Sequence, residues 1–486
     1  MNTAKIKQKL RQNIIDRLKN IEGVISVTIV GSFVNQEDLT GISDIDTVVI
    51  CKSLNNSLYQ SCIDVASKIN LKKCGLDNYN LEINPTFGPL KFDRSNLAVI
   101  HLMIYDVDAH KRHVLSSPFT CFDWERSETF VGPRLNEIFP VGMLQLRDFL
   151  EVRRSMKNYL DDLSKNVISY YEYYFDDKIV VEKKKYKKLD DKHRGEYTYH
   201  IVRNLVANYM KLRQKNNNYY SNDDIKKEII RLFPKSKLTH SKKFDTISKI
   251  KLQRADSFPS DSSNWAKTFV LEFQKKIKEE WSNAVPIHFI RHFETDLNNG
   301  TYLGQGRDPG IDVPQNVKII NEPSIKIFSS PSRRCVETAQ AIYKDMEIMM
   351  DERLLEFDYG QAEGLSYKQL AKEYPQISTG WQNGEDPRFP DGESTKDVYA
   401  RLTLFLKDIA KSVDNNQSKL ICVVTHNGVL RCLLGDAFGL DLNDWYKLFI
   451  PHGVPLEFLY CENRFYPNIP RNLWGNILQN IGYAIS

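Results

Sequence analysis

The stretch Val285-Pro286-Ile287-His288-Phe289-Ile290-Arg291-His292-Phe293-Glu294-Thr295 decides the reading of the carboxyl-terminal fold. Its first six residues are apolar and β-rich, the pattern of a central parallel strand. The strand runs into Arg291 and His292. A histidine at the carboxyl end of a strand, beside a cation, is well placed to attack phosphorus. Neutral imidazole is the nucleophile in such a step. The trigonal-bipyramidal phosphoryl group spreads negative charge over its equatorial oxygens, so Arg and protonated His donors must cluster round it. A separate carboxylic acid must protonate the leaving oxygen, because an alkoxide leaves poorly.

Working outward, Leu420-Ile421-Cys422-Val423-Val424-Thr425 gives a second buried strand, and helices fit 334–344, 367–373 and 394–412. The groups that the chemistry needs follow in order. They are Ser330-Pro331-Ser332-Arg333-Arg334, then Leu355-Glu356-Phe357-Asp358-Tyr359-Gly360 with Glu363-Gly364, then Thr425-His426-Asn427-Gly428. With Arg291-His292 and Asn298, these segments resemble the histidine phosphatase (phosphoglycerate mutase-like) superfamily over about 285–480. The resemblance implies a three-layer α/β domain with His292 as the nucleophile that carries a phosphohistidine. Arg291, Arg334 and His426 would bind the phosphoryl oxygens, Glu356 would be the proton donor, and Asn298 would join the substrate site. No metal or other cofactor is implied there. Pro390-Asp391-Gly392-Glu393-Ser394 resembles a Pro-x-Gly-Glu-Ser element of the family's phosphatase members, which implies a phosphatase rather than a mutase. Phe293 departs from the family's Gly and is predicted to crowd the turn or reshape the substrate mouth.

The amino-terminal third carries a different signal. Helix and strand patterns alternate over 1–135, with a helix at 4–20, strands at 24–30, 47–50, 79–83 and 97–105, and a helix near 58–69, as in a small mixed sheet. Gly31-Ser32 ends one strand, and Asp44 and Asp46 open the next, on one face of it. Two such carboxylates are costly to crowd unless a divalent cation neutralises them, and hard oxygen ligands suit Mg²⁺. Gly31 lets the backbone approach a triphosphate, and the Ser32 hydroxyl can donate to it. These residues, with Leu81-Glu82-Ile83-Asn84-Pro85, resemble the DNA polymerase β-type nucleotidyltransferase superfamily over about 30–90. The resemblance implies that Asp44 and Asp46 hold two Mg²⁺ ions on the nucleotide phosphates. Glu82 would complete the site in place of an aspartate and help activate an acceptor hydroxyl. His101, His110 and His113 are expected to be surface or packing residues.

Between these regions, 136–282 reads as a helical module with helices at 144–174, 193–213, 223–233 and 264–281. The lysine run 183–188 reads as a solvated face. The expected fold class is therefore an α/β multidomain protein. It comprises a nucleotidyltransferase domain at 1–135, the helical module at 136–282 and a histidine phosphatase domain at 283–486.

At 486 residues, the chain is too long for one ordinary core. With 41% apolar and 27% charged residues, the composition excludes a disordered or fibrous chain. Eight scattered cysteines without a C-x-x-C pair suit free thiols in a reducing compartment, and no long apolar run suggests a membrane span. The expectation is a cytoplasmic enzyme with two activities. One moves a nucleoside monophosphate from an NTP to a hydroxyl acceptor, and the other hydrolyses a phosphomonoester, both in small-molecule or sugar-phosphate metabolism. The net charge of +5 is mild, so an RNA or protein acceptor is the less favoured alternative. A third is a nucleotide-sensing protein with one decayed site.

Overall fold

The computed structural model describes residues 3–482 except 36, 38, 40, 41, 43, 89–95, 177, 178, 236, 254–256, 321, 323 and 415–418. Most of the spacer between Ser32 and Asp44 thus lies outside or between gaps in the described residues. Two compact units result, one running to Glu280 and the other spanning Trp281–Ile481. The ranges 1–135 and 136–282, taken from sequence as separate domains, fall almost wholly within the first unit.

The first unit holds a five-stranded mixed sheet. Its strands are β1 (Val24–Val30), β2 (Asp44–Cys51), β3 (Asn80–Asn84), β4 (Leu97–Asp106) and β5 (Glu128–Val131), in the order β3-β4-β2-β1-β5. β2 and β3 flank β4 in parallel, whereas β1 runs antiparallel to β2 and β5. The helix Thr3–Leu18 buries Ile6, Leu10, Ile14 and Leu18, spaced one turn apart on one stripe. Register sets the chemistry of one face. Asp44 and Glu82 both pair with Val99, and Asp46 and Asn84 both pair with His101.

The helix expected over 144–174 does not form. Arg154 takes φ +67 and breaks the chain direction, Ser155 caps a helix at Met156–Lys165, and Asn166 ends it in the left-handed region. The following Val-Ile-Ser-Tyr-Tyr-Glu-Tyr-Tyr-Phe is β-branched and aromatic, and it becomes β6 (Val167–Asp176), paired antiparallel with β7 (Ile179–Lys188). The lysine run therefore lies on a strand whose side chains face solvent. Lys183 lies 4.3 Å from the Tyr174 ring centroid. Helices at Asp191–Gln214, Asn222–Leu232 and Ser262–Glu280 match expectation closely. The helix Lys237–Leu252 was not foreseen, because its lysines and Ser/Thr residues blur the apolar stripe that buries Phe244 and Ile247.

The second unit is built on a six-stranded sheet of β8 (Val285–Arg291), β9 (Ile325–Ser329), β10 (Ile348–Met350), β11 (Leu420–Thr425), β12 (Leu456–Cys461) and β13 (Arg464–Pro467). The order is β10-β9-β11-β8-β12-β13. The first four in that order are parallel, as the apolar runs predict, and the last two are antiparallel. Arg291 pairs with Thr425, so His292 and His426 emerge side by side just past the carboxyl ends of β8 and β11. Ile290, Ile327, Cys422 and Val424 form the core beneath them.

Candidate active site

The second unit brings five of its six sequence-predicted residues to one end of the sheet. His292 is buried, and its N–H donates to the Thr425 carbonyl at 3.0 Å. Its Nδ1 lies 2.6 Å from the Phe293 carbonyl, which can only accept, so the proton sits on Nδ1 and the Nε2 lone pair is left for chemistry. Burial, with the positive charges of Arg334 and Arg291, holds its pKa well below the ordinary histidine value. The ring is therefore neutral at neutral pH.

Three donors surround it. The His426 ring centroid is 5.3 Å from that of His292. His426 Nδ1 accepts from Arg334 Nε at 3.3 Å, so its proton sits on Nε2, 2.8 Å from Ser330 Oγ. Arg334 is almost wholly buried, and its fork is aimed by the carbonyls of Gly304 (2.8 Å) and Arg307 (3.1 Å) and by Asp308 (3.3 Å). Arg291 donates Nη1 to the Ile450 carbonyl at 2.7 Å, while its buried Nε has no partner among the described residues. Burial pushes the Arg291 pKa down to about 10, so it stays charged. A buried guanidinium with an unused donor fits an anion.

Glu356 completes the group. Its carboxylate accepts from the Gly428 N–H at 3.1 Å and the Phe357 N–H at 3.0 Å, at the start of the helix Asn427–Phe438. The Pro390–Ser394 segment has a structural task here. Glu393 accepts from the Asp358 N–H and pairs with Arg401 at 2.9 Å, and Arg401 in turn donates to the Glu356 carbonyl at 2.9 Å. Glu363 similarly gathers the N–H groups of Gly304, Gly306 and Arg307, forming the loop whose carbonyls hold Arg334. Asn298 is exposed and turns inward on its own loop, accepting from the Thr295 N–H at 2.9 Å.

Two features escaped sequence reading. His452 stands 5.3 Å from the His292 ring and makes a 2.7 Å hydrogen bond to the His292 carbonyl, although only an isolated bridge marks its segment. Phe293 does not crowd the mouth. It is buried in the core with Ile290 and Cys335, against Gly453. A Cβ at Gly453 would lie 2.4 Å from the Phe293 ring, and Gly453 has φ +66. Gly453→Ala should therefore cost about 2 kcal/mol or more. The melting temperature should fall by several degrees and recover in part with Phe293→Leu.

In the first unit, Asp44 and Asp46 do come together, with ligand atoms within 4.8 Å of each other and of His101. Glu82 is outside this cluster. The strand β4 stands between β3 and β2, placing Glu82 two strands from Asp44, roughly 10 Å at typical strand spacing. His101, buried on the intervening strand opposite Asp46, lies with the two aspartates instead. Its Nδ1 is 2.8 Å from Asp46 Oδ1, and its Nε2 is 2.6 Å from the Thr86 carbonyl. Burial opposes its charge, but the hydrogen bond to Asp46 and the fields of both aspartates raise its pKa. His110 and His113 pack on Trp124, as expected of packing residues. Gly31 takes φ +75, and a Cβ there would lie 2.6 Å from Asp46 Oδ2, so glycine is needed for this close approach. Ser32 is exposed at the start of a short helix. A cavity of about 300 Å³ opens beside the two aspartates, with Arg153, Arg154 and Arg203 also lining it.

Comparison with known proteins bears on the second unit. Residues 315–465 match the family described as histidine phosphatase superfamily (branch 1), a span that holds Arg334, Glu356 and His426 and begins after His292. Phosphoserine phosphatase 1 of Hydrogenobacter thermophilus is 27% identical over 176 residues, covering 34% of this chain and 81% of that protein. Phosphoglycerate mutase-like protein 4 of Arabidopsis thaliana is 32% identical over 173 residues, covering 33% of this chain and 74% of that protein. The 6-phosphofructo-2-kinase/fructose-2,6-bisphosphatase 4 of Homo sapiens is 27% identical over 166 residues, covering 32% of this chain and only 33% of that protein. Through its carboxyl-terminal unit, the chain belongs to the histidine phosphatase superfamily.

Proposed function

We propose that the second unit hydrolyses phosphomonoesters through a phosphohistidine on His292. The observation that carries this is the neutral His292 ring, its Nδ1 proton committed to the Phe293 carbonyl, set beside the unused Nε of Arg291. The His292 Nε2 lone pair attacks phosphorus as the bond to the leaving oxygen breaks. Glu356, as the acid, gives that oxygen its proton. Arg291, Arg334 and His426 hold the equatorial oxygens and balance the charge that builds on them. Water then attacks the phosphoryl group while Glu356 takes up its proton, the N–P bond breaks, and phosphate leaves. Residues of this chain supply every group in these steps. Phosphate release from a panel of phosphomonoesters tests the reading, and failure to release phosphate from any of them contradicts it.

The histidine pKa gives the pH dependence. Because the folded value is held below the ordinary 6.5, mainly by burial, His292 stays unprotonated as pH falls through 6.5. Single-turnover phosphoenzyme formation from an activated ester should stay level through 6.5 and fall only at lower pH. The same shift links to stability. The unfolded chain takes up this proton near 6.5 and the folded chain does not, so this contribution is complete above 6.5 and is lost as pH drops below it.

A second reading, nucleotidyl transfer in the first unit, is favoured by one specific observation. Asp44 and Asp46 share their cavity with three arginines. Arg153 and Arg154 are adjacent in sequence, and burial with their mutual repulsion pushes Arg153 down to about 10. This is a wall suited to a polyphosphate. Two aspartates fit one Mg²⁺, which would supply charge neutralisation on the phosphates. The two-ion site expected from three carboxylates does not fit, because Glu82 stands apart and both His101 nitrogens are engaged. Asp46→Asn should weaken Mg²⁺-dependent NTP binding about 10-fold or more, by the loss of one charged ligand. Calorimetry with ATP, GTP, CTP and UTP checks this, and unchanged affinity in Asp46→Asn contradicts it.

A further inference from the structure

Resting on the phosphatase reading, the geometry points to a substrate whose leaving group carries an alkylammonium, held in an aromatic cage beside Glu356. A cavity of about 530 Å³ opens there, and its lining includes Gly428, the residue whose N–H the Glu356 carboxylate binds. A group leaving from phosphorus towards Glu356 would therefore extend into this space. The cavity is large against a serine or glycerol side chain, and its size alone selects no chemistry. Its walls do.

Tyr302, Tyr359, Phe389 and Trp381 contribute rings that meet at angles rather than in parallel. Tyr302 and Tyr359 are inclined at 52°, Tyr359 and Phe389 at 85°, and Trp381 and Phe389 at 66°. Their centroids lie 4.9, 4.9 and 5.7 Å apart, so the rings touch one another and form one continuous, angled aromatic wall, against which a rounded guest packs. A planar guest needs a slot, and neither near-parallel pair in the lining offers one. Tyr367 and Trp381 have centroids 6.3 Å apart and Phe357 and Tyr359 5.6 Å, whereas an intercalated ring needs roughly 7 Å, twice the carbon–carbon contact optimum. Ring faces are the negative side of the aromatic quadrupole, and a cation set among them is attracted.

The charges in the lining agree. Glu385 has no side-chain hydrogen bond or ion pair among the described residues, so its carboxylate is available to a guest. Asp386 is a second carboxylate on the wall, already accepting from the N–H groups of Thr395 and Lys396. Arg431 is the single lysine or arginine in the lining. It is half-buried, commits Nε to the Leu448 carbonyl at 2.8 Å, and lies in the field of Tyr359 and Glu356. A leaving group with a second phosphate would place its charge against Glu385 and Asp386 with one partly spent guanidinium to offset them. An ammonium meets the opposite field, with aromatic faces around it and a carboxylate in reach.

The test compares phosphocholine with 3,3-dimethylbutyl phosphate, which has the same shape without the charge, and uses p-nitrophenyl phosphate as a reference ester. The expected kcat/KM for phosphocholine exceeds that for the neutral isostere about 10-fold or more, as a desolvated cation on aromatic faces warrants. Trp381→Leu and Glu385→Gln should each bring that ratio towards one. Equal or faster turnover of the isostere, with p-nitrophenyl phosphate hydrolysed, overturns the inference and leaves the phosphatase reading standing. Loss of all three turnovers overturns the phosphatase reading instead. A choline titration followed by tryptophan fluorescence then judges the cage without catalysis. Saturable quenching that Trp381→Leu removes supports the cage, and no quenching overturns it.

Discussion

His292→Ala should abolish phosphate release, with kcat falling on the order of 10⁴-fold or more, as when the nucleophile of a concerted catalytic group is removed. The size of this loss follows from the division of labour at the strand ends. Arg291, Arg334 and His426 stabilise charge on a phosphoryl group in flight, but none of them can form the covalent intermediate. Arg334 Nε is turned towards His426 and the rest of its fork towards carbonyls and Asp308. His426 Nδ1 accepts from Arg334 Nε. Neither can take over the attack without dismantling its own hydrogen bonds. The small side chain should be tolerated structurally, since the His292 backbone N–H keeps its bond to Thr425. Circular dichroism and the melting temperature should stay close to the parent, while phosphate release by a colorimetric assay disappears.

Glu356→Gln should produce the second largest effect, and one that depends on the substrate. The amide keeps the shape and can accept from the Gly428 N–H, but it cannot donate a proton as an acid does. General acid catalysis is typically worth 10²–10⁴-fold. For alkyl phosphates, whose leaving alkoxide needs that proton, kcat/KM should fall about 10³-fold. For p-nitrophenyl phosphate, whose phenolate leaves unaided, the first step should change little and the second should slow, because water attack loses its base. The phosphoenzyme then accumulates. A uniform loss across leaving groups would mean that Glu356 is not the acid.

The second unit was more legible than the first for a physical reason. Its chemistry is written at the carboxyl ends of parallel strands, where a short apolar run followed by Arg-His or Thr-His announces both the strand and the exit of the side chain. The motifs that resemble the histidine phosphatase superfamily pointed to Arg291, His292, Arg334, Glu356 and His426, which lie together at one end of the sheet. They did not point to His452, whose relation to His292 depends on a return of the chain across 160 residues. Nor could they show that Phe293 turns into the core, since the space for its ring is made by the missing side chain of Gly453.

In the first unit, the pairing of Asp44 with Asp46 was legible because both lie on one strand, where alternate residues share a face. The third member of that cluster is set by strand order. Glu82 and His101 each lie on a strand that faces the cluster, but β4 is the neighbour of β2 and β3 is not. Sequence spacing contains no such ordering. The same limit explains the helix expected over 144–174. Its apolar residues permitted either period, and the left-handed turns at Arg154 and Asn166 chose short helix, then strand.

The phosphohistidine is the claim on which the proposed reaction rests, and mass spectrometry of the full chain quenched during turnover of p-nitrophenyl phosphate tests it most directly. The Glu356→Gln protein should carry one phosphoryl group on the peptide containing His292, stable to base and lost in acid, and His292→Ala should carry none. Phosphate release from the parent without any phosphorylated peptide, or the same label persisting in His292→Ala, would contradict it.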